Sequence, residues 1–155
     1  MYTKDWIAKW ALYSPHKVAL KELDTDRTRT YAELNQAANY LAVALTQRHG
    51  LRKGDRVMVI AEHCLEYITL FVAAQKTGLV LVPVNYRLAV GEIDYLVDNC
   101  QPALLIYEDQ FEDKTLAMPG LVAVPKVWPL QTLADVCQCG LATPQPAWAG
   151  PGGVL

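Results

Sequence analysis

No window of these 155 residues approaches 18 consecutive apolar side chains, so no segment is expected to cross a bilayer. Residues 1–15 lack a basic segment followed by an unbroken apolar stretch, and they do not read as a secretory signal. Basic stripes and long blocks of one charge are missing too. With 14 Lys and Arg against 16 Asp and Glu, the net charge is −2, and nucleic acid is not an expected partner. Cysteines are few: Cys64, Cys100, Cys137 and Cys139. Only the last two are close, and a lone C-x-C lacks the second pair that a zinc site needs. Free thiols in a reducing, cytoplasmic setting are therefore expected, and no metal-binding residue is assigned. The one glycine cluster, Gly150-Pro151-Gly152-Gly153, has no Ser, Thr or Lys behind it to hold phosphate or its metal. His16, His49 and His63 have no carboxylate or nucleophile at telling spacing, which leaves them surface or capping roles.

What is present is enough apolar residue for one core: 52% of the chain is hydrophobic and 19% charged. Residues 4–13 read as a short amphipathic helix ended by Pro15, with Trp6, Ile7 and Trp10 on one side. Two tryptophans four apart can anchor a helix at a membrane interface; packing on their own domain is the expected use here. Residues 17–23 read as a strand, followed by a polar turn at 24–27 and a second strand. Thr30-Tyr31-Ala32-Glu33 has the spacing of a capping box, and Tyr31, Leu34, Ala37, Ala38, Leu41 and Leu45 repeat behind it at helical intervals. His49 and Gly50 close that helix.

Three apolar runs of strand length follow, at 57–61, 79–84 and 103–107. None alternates polar with apolar, as suits parallel strands covered on both faces. Helical segments at 65–76, closed by Gly78, and at 92–99, with Ile93, Leu96 and Val97 inward, separate them. The order is that of an α/β fold: a mostly parallel, doubly wound sheet with flanking helices. Beyond Tyr107 the expectations are a helix at 109–117, a strand at 121–127 and a short helix at 130–137. From Gly140 onward Ala, Pro and Gly dominate, so the organisation expected is an α/β subdomain over 1–139 and a linker over 140–155.

Four phrases stand in register: Thr-Tyr-Ala-Glu-Leu-Asn (30–35), Gly-Leu-Arg-Lys-Gly-Asp-Arg-Val (50–57), Lys-Thr-Gly-Leu-Val-Leu-Val-Pro-Val-Asn-Tyr-Arg-Leu (76–88) and Glu-Ile-Asp-Tyr-Leu-Val (92–97). Together they resemble the amino-terminal subdomain of the adenylate-forming, AMP-binding superfamily over roughly residues 5–135. The Val-Pro-Val-Asn-Tyr-Arg-Leu wording is closest to the acyl-CoA synthetases, including the fatty-acid–CoA ligases. One departure is the start of the fourth phrase's helix, where Ala89-Val90-Gly91-Glu92 stands without a Thr cap or an N1 proline. That should weaken the helix start by about 1 kcal/mol.

The resemblance implies an intact enzyme that activates a carboxylic or fatty acid with ATP and magnesium, then passes the acyl group to coenzyme A, releasing AMP and pyrophosphate. It also implies a Ser/Thr/Gly-rich loop, an acidic ribose-binding residue and a lysine in a small C-terminal domain, none of them recognisable in these 155 residues. The chain is accordingly expected to end just upstream of the ATP-binding loop, to bind none of these cofactors alone, and to contain no catalytic residue. Asn85, Tyr86 and Arg87 stand where some relatives approach the nucleotide part of coenzyme A. Arg suits phosphate and Tyr can stack on a purine. The other reading is structural, with Asn85 stabilising the turn and Arg87 pairing with an acid such as Glu92. Arg52, Lys53 and Arg56 could attract an anion, but Asp55 and Glu62 among them favour a solvated turn. Three functions compete: part of an acyl-CoA ligase, a non-catalytic module that self-associates through an open sheet edge, and a stand-alone flavodoxin-like nucleotide binder. The last ranks lowest, because no Gly- or Ser/Thr-rich turn follows a strand.

Overall fold

The structure, a computed structural model, describes residues 5–142. The Gly150–Gly153 cluster and most of the linker expected from 140 onward lie outside the described residues.

Helix α1 (Trp6–Tyr13) leads into a two-stranded antiparallel hairpin, β1 (Val18–Lys21) and β2 (Thr28–Thr30). Helix α2 (Tyr31–Val43) starts where the capping box lies. Thr30 Oγ1 accepts from the Glu33 N–H at 3.3 Å, and Glu33 Oε2 accepts from the Thr30 N–H at 2.7 Å. The helix continues through a wider turn over Ala44–Arg48 and stops at His49 and Gly50, whose φ of +73° is the left-handed conformation that glycine adopts without strain.

A second sheet of four strands follows, in the order β4 (Val80–Pro83), β3 (Arg56–Ile60), β5 (Leu104–Tyr107), β6 (Val127–Pro129). All three pairings are parallel. Helix α3 (Leu65–Thr77) links β3 to β4, α4 (Val90–Cys100) links β4 to β5, and α5 (Glu112–Leu116) lies between β5 and β6. The chain closes on α6 (Leu130–Ala142), which packs on α2.

The apolar runs are unbroken because both sheet faces are covered. Val57 and Val59 point to one side, with Leu104 and Ile106, against Leu34, Leu41, Leu45 and Leu70. Met58, Ile60 and Leu105 point to the other, against Ile93 and Val97. With side chains alternating sides along a strand, two apolar faces need an apolar residue at every position.

Several expectations need correcting. Trp6 and Trp10 do not turn inward; Ala8 is the buried residue of α1. The strand expected at 121–127 lies instead at 127–129, because Pro119–Ala123 winds into a tight turn and Pro125 has no N–H for a ladder. The segment 109–117 divides into a turn at Asp109–Phe111 and the short α5, and α6 runs past 137. Helix α4 begins earlier than 92. Its missing Thr cap is offset in part by Glu92, whose Oε2 accepts from the Ala89 N–H at 2.8 Å.

Candidate functional site

In an open parallel sheet, the strands' carboxyl ends leave a crevice where successive connections depart in opposite directions. Here the chain runs from β3 outward to β4, then returns across β3 to β5 and β6, so the reversal lies between β3 and β5. A crevice of about 470 Å³ opens there. Glu62, His63 and Cys64 after β3 form one side, with Glu108, Asp109 and Gln110 after β5 next to them. Leu130 and Gln131 at the start of α6, and Glu22, Asp24, Thr25 and Arg27 from the hairpin, complete the wall.

Arg27 organises its polar floor. Its Nε and Nη2 donate to Glu22 Oε2 and Oε1, each at 2.8 Å, while Nη1 and Nη2 donate to Glu66 Oε1 and Oε2 at 3.1 and 3.0 Å. These bonds hold the Glu22 carboxyl well below the usual carboxylate range, at about 2, and push the guanidinium upward. Behind it the buried Arg29 donates to Glu66 Oε1 at 3.2 Å and to Thr69 Oγ1 at 2.6 Å. Glu22 Oε1 also accepts from the Leu65 N–H at the start of α3. The network therefore ties the hairpin to the helix that follows the central strand.

The ligand atoms of Glu22, Cys64 and Glu66 lie within 4.8 Å of one another. They do not fit a divalent cation: both carboxylates are engaged by arginine, and burial pushes the Cys64 thiol upward, favouring its protonated form. Nor does the crevice fit a triphosphate with magnesium. Glu22, Asp24, Glu62, Glu66, Glu108 and Asp109 outnumber Arg27 and His63, and the one guanidinium is taken by carboxylates. No reaction step is derived through this wall.

Asn85, Tyr86 and Arg87 do not line this crevice; they stand beyond the end of β4. Asn85 Oδ1 accepts from the Arg87 N–H at 3.0 Å, closing an Asx turn. Tyr86 stacks on Phe111 with ring centroids 4.9 Å apart, and the Arg87 guanidinium lies 5.6 Å from the Tyr86 centroid. Lys114 Nζ donates to the Tyr86 and Leu88 carbonyls at 2.8 and 3.0 Å, fixing the turn to α5. Glu92, the acid considered for Arg87, is used by the α4 start instead. Arg52, Lys53 and Arg56 are exposed; Asp55 Oδ2 accepts from the Arg52 N–H in the turn before β3, and Arg56, the first residue of β3, bonds the Gln101 carbonyl.

Sequence reasoning missed Arg27, Arg29 and Glu66. Apart from Glu22, five positions from Arg27, their partners are 37 to 40 positions away, and no local spacing joins them. A usable signal was Glu66 and Thr69 on the inward face of an otherwise apolar helix, where buried polar groups require partners.

An open parallel sheet with its crevice at the strand reversal defines the chain as an α/β domain of the kind that binds ligands beyond its strands. The chain belongs to the AMP-binding enzyme family, whose profile matches residues 7–142. Long-chain-fatty-acid–CoA ligase FadD13 of Mycobacterium tuberculosis is 39% identical over 97 residues, which is 63% of this chain and 19% of that protein. A feruloyl-CoA synthase of an Amycolatopsis species is 32% identical over 122 residues, covering 77% of this chain and 24% of its own length. The inhibitor-bound N-terminal domain of FACL13 from Mycobacterium tuberculosis matches with a TM-score of 0.81 at 32% identity, over 95% of this chain and 38% of that one. The chain thus spans about a fifth to a quarter of the curated relatives it matches.

Proposed function

We propose that the chain is the amino-terminal part of an ATP-dependent, AMP-forming acyl-CoA ligase, which joins a carboxylic or fatty acid to coenzyme A. The family match across residues 7–142 carries this reading. The 155 residues alone contribute scaffold and one wall of the site. By themselves they are inactive, since the phosphate-binding loop, the ribose-binding acid and the lysine implied by the family lie in other sequence. The turn Asn85-Tyr86-Arg87 faces the coenzyme A side of the intact enzyme, with Arg87 offering a cation to phosphate. The unpaired thiols of Cys64, Cys100 and Cys137 and the absence, among the described residues, of a helix long enough to span a bilayer fit a cytoplasmic setting. The test is acid-dependent pyrophosphate exchange by the product of the complete reading frame, beside the 155-residue chain, with fatty and aromatic acids. Exchange by the longer product alone is expected; exchange by neither removes the ligase assignment.

A second reading, a non-catalytic module that self-associates, is favoured by one observation. Strand β4 ends the sheet among the described residues, and its Val80 is exposed. Light scattering at micromolar concentration separates the two, because a monomer with a cooperative melt removes the edge-pairing reading.

A further inference from the structure

Helix α1 carries its bulk on the outside. At 3.6 residues per turn, Trp6, Trp10 and Tyr13 fall within one arc of about 60°, with Lys9 at its margin. Opposite them lie Ala8, buried, and Ala11, half-buried, on the side toward α2. Trp6 is 57% exposed, Trp10 41%, Tyr13 70% and the neighbouring Leu12 64%. A helix that merely packs on its own domain turns its large apolar side chains inward. This one turns Ala8, Ala11 and Ile7 toward the domain and its indoles outward, with a Trp10–Tyr31 contact at 6.1 Å between centroids holding one aromatic ring back.

The charge on this face has one sign. Lys9 Nζ stands 5.4 Å from the Trp6 centroid and 5.7 Å from that of Trp10. The acid at the helix start, Asp5, is used elsewhere: Oδ1 caps the Ala8 N–H at 2.8 Å, and Oδ2 takes the buried Lys76 ammonium. Just past the helix, His16 and Lys17 are also exposed. The face therefore combines amphipathic rings with the Lys9 ammonium, and Lys17 is exposed just past the helix.

We propose that this face docks on an anionic lipid bilayer, lying in the headgroup layer with Lys9 and Lys17 toward the phosphates. Indole and phenol rings favour that boundary, apolar on one side and wet on the other. The ammonium groups are attracted to anionic lipid while their stems stay along the rings. A helix about 12 Å long lies on such a surface and cannot cross it. A second copy fits less well, because two-fold packing of the face on itself sets Lys9 near Lys9 with no acid between them. This inference does not depend on the ligase reading.

The experiment is co-sedimentation of the 155-residue chain with vesicles of phosphatidylglycerol and phosphatidylcholine in equal parts, and with phosphatidylcholine alone, while following tryptophan emission. Binding to the anionic vesicles, a blue shift, and weakening by salt are expected. The double variant Trp6→Ser/Trp10→Ser should lower partitioning by about tenfold or more. Lys9→Glu with Tyr13→Ser, both at exposed positions, should do likewise with an unchanged melting temperature, which separates docking from folding. Failure to sediment with anionic vesicles overturns the proposal, as does undiminished binding by both variants. Concentration-dependent dimerisation without lipid, lost in both variants, assigns the face to a second copy instead.

Discussion

Arg29 on β2 and Glu66 on α3 form an ion pair with Nη2 3.2 Å from Oε1, both side chains about 5% exposed or less. Two charges so far from water persist because each has further bonds, Arg29 to Thr69 and Glu66 to Arg27. Removing one partner leaves the other buried and uncompensated. Glu66→Ala should therefore cost about 3–5 kcal/mol, read as a shift in the denaturant midpoint. A loss below about 1 kcal/mol, the range of an exposed pair, would show that the hairpin is not clamped to α3 in solution.

The same network sets a pH dependence. The Arg27 bonds hold Glu22 at about 2 in the folded chain, against 4.5 ordinarily. A depressed carboxylate stabilises the fold above its unfolded value and loses that contribution as protons bind the folded form. Stability should accordingly fall between about pH 4.5 and pH 2. Glu22→Gln should flatten this limb in thermal melts across acid pH; an unchanged limb places the titrating group elsewhere.

Thr30→Ala removes the hydroxyl that caps Glu33 and so half of the reciprocal pair at the start of α2. The expected cost is about 0.5–2 kcal/mol. Coincident urea midpoints for variant and parent would mean that the cap is not formed.

Helix α4 ends on Gln101 with φ +45°, a left-handed conformation that side chains disfavour, directly before Pro102. Glycine is free of that penalty, so Gln101→Gly should raise stability by about 1 kcal/mol. A melting temperature that stays the same or falls would show that the unfolded chain's gain in freedom cancels the relief.

The 155-residue chain should form no acyl-adenylate. Pyrophosphate exchange above a blank with any fatty or aromatic acid would contradict this and require phosphate ligands within the wall described.

Features fixed by neighbours in sequence could be read before the fold was seen. The Thr30–Glu33 cap, the left-handed Gly78 and the unbroken Val57–Ala61 run each depend on contacts within a few residues or on a period of two. The parallel sheet was legible for the same reason, and the family through the resemblance of the four phrases between residues 30 and 97. Two other kinds of feature were not. Trp6 and Trp10 carry a helical spacing that says they share a side, but which side faces the domain depends on Ala8 fitting against α2. The Glu22–Arg27–Glu66–Arg29 floor joins a hairpin to a helix across dozens of residues, and its charges look like ordinary surface charges in one dimension. The Asn85–Arg87 turn lay between these cases: its Asx bond is local, whereas the Phe111 stack and the Lys114 bonds are not.

Of the two inner strands of the four-stranded sheet, β3 is the one whose neighbours both come later in the chain. Its residues 56–60 pair with β4 on one edge and β5 on the other, so the sheet has no ladder that bypasses it except β5–β6. During synthesis β3 emerges before either neighbour and waits through α3 for the first and through α4 for the second. Such closures raise the mean sequence separation of contacts and slow folding. A truncation of Val59 should thus slow refolding as well as hasten unfolding, since its loss is felt at the step that joins both halves of the sheet.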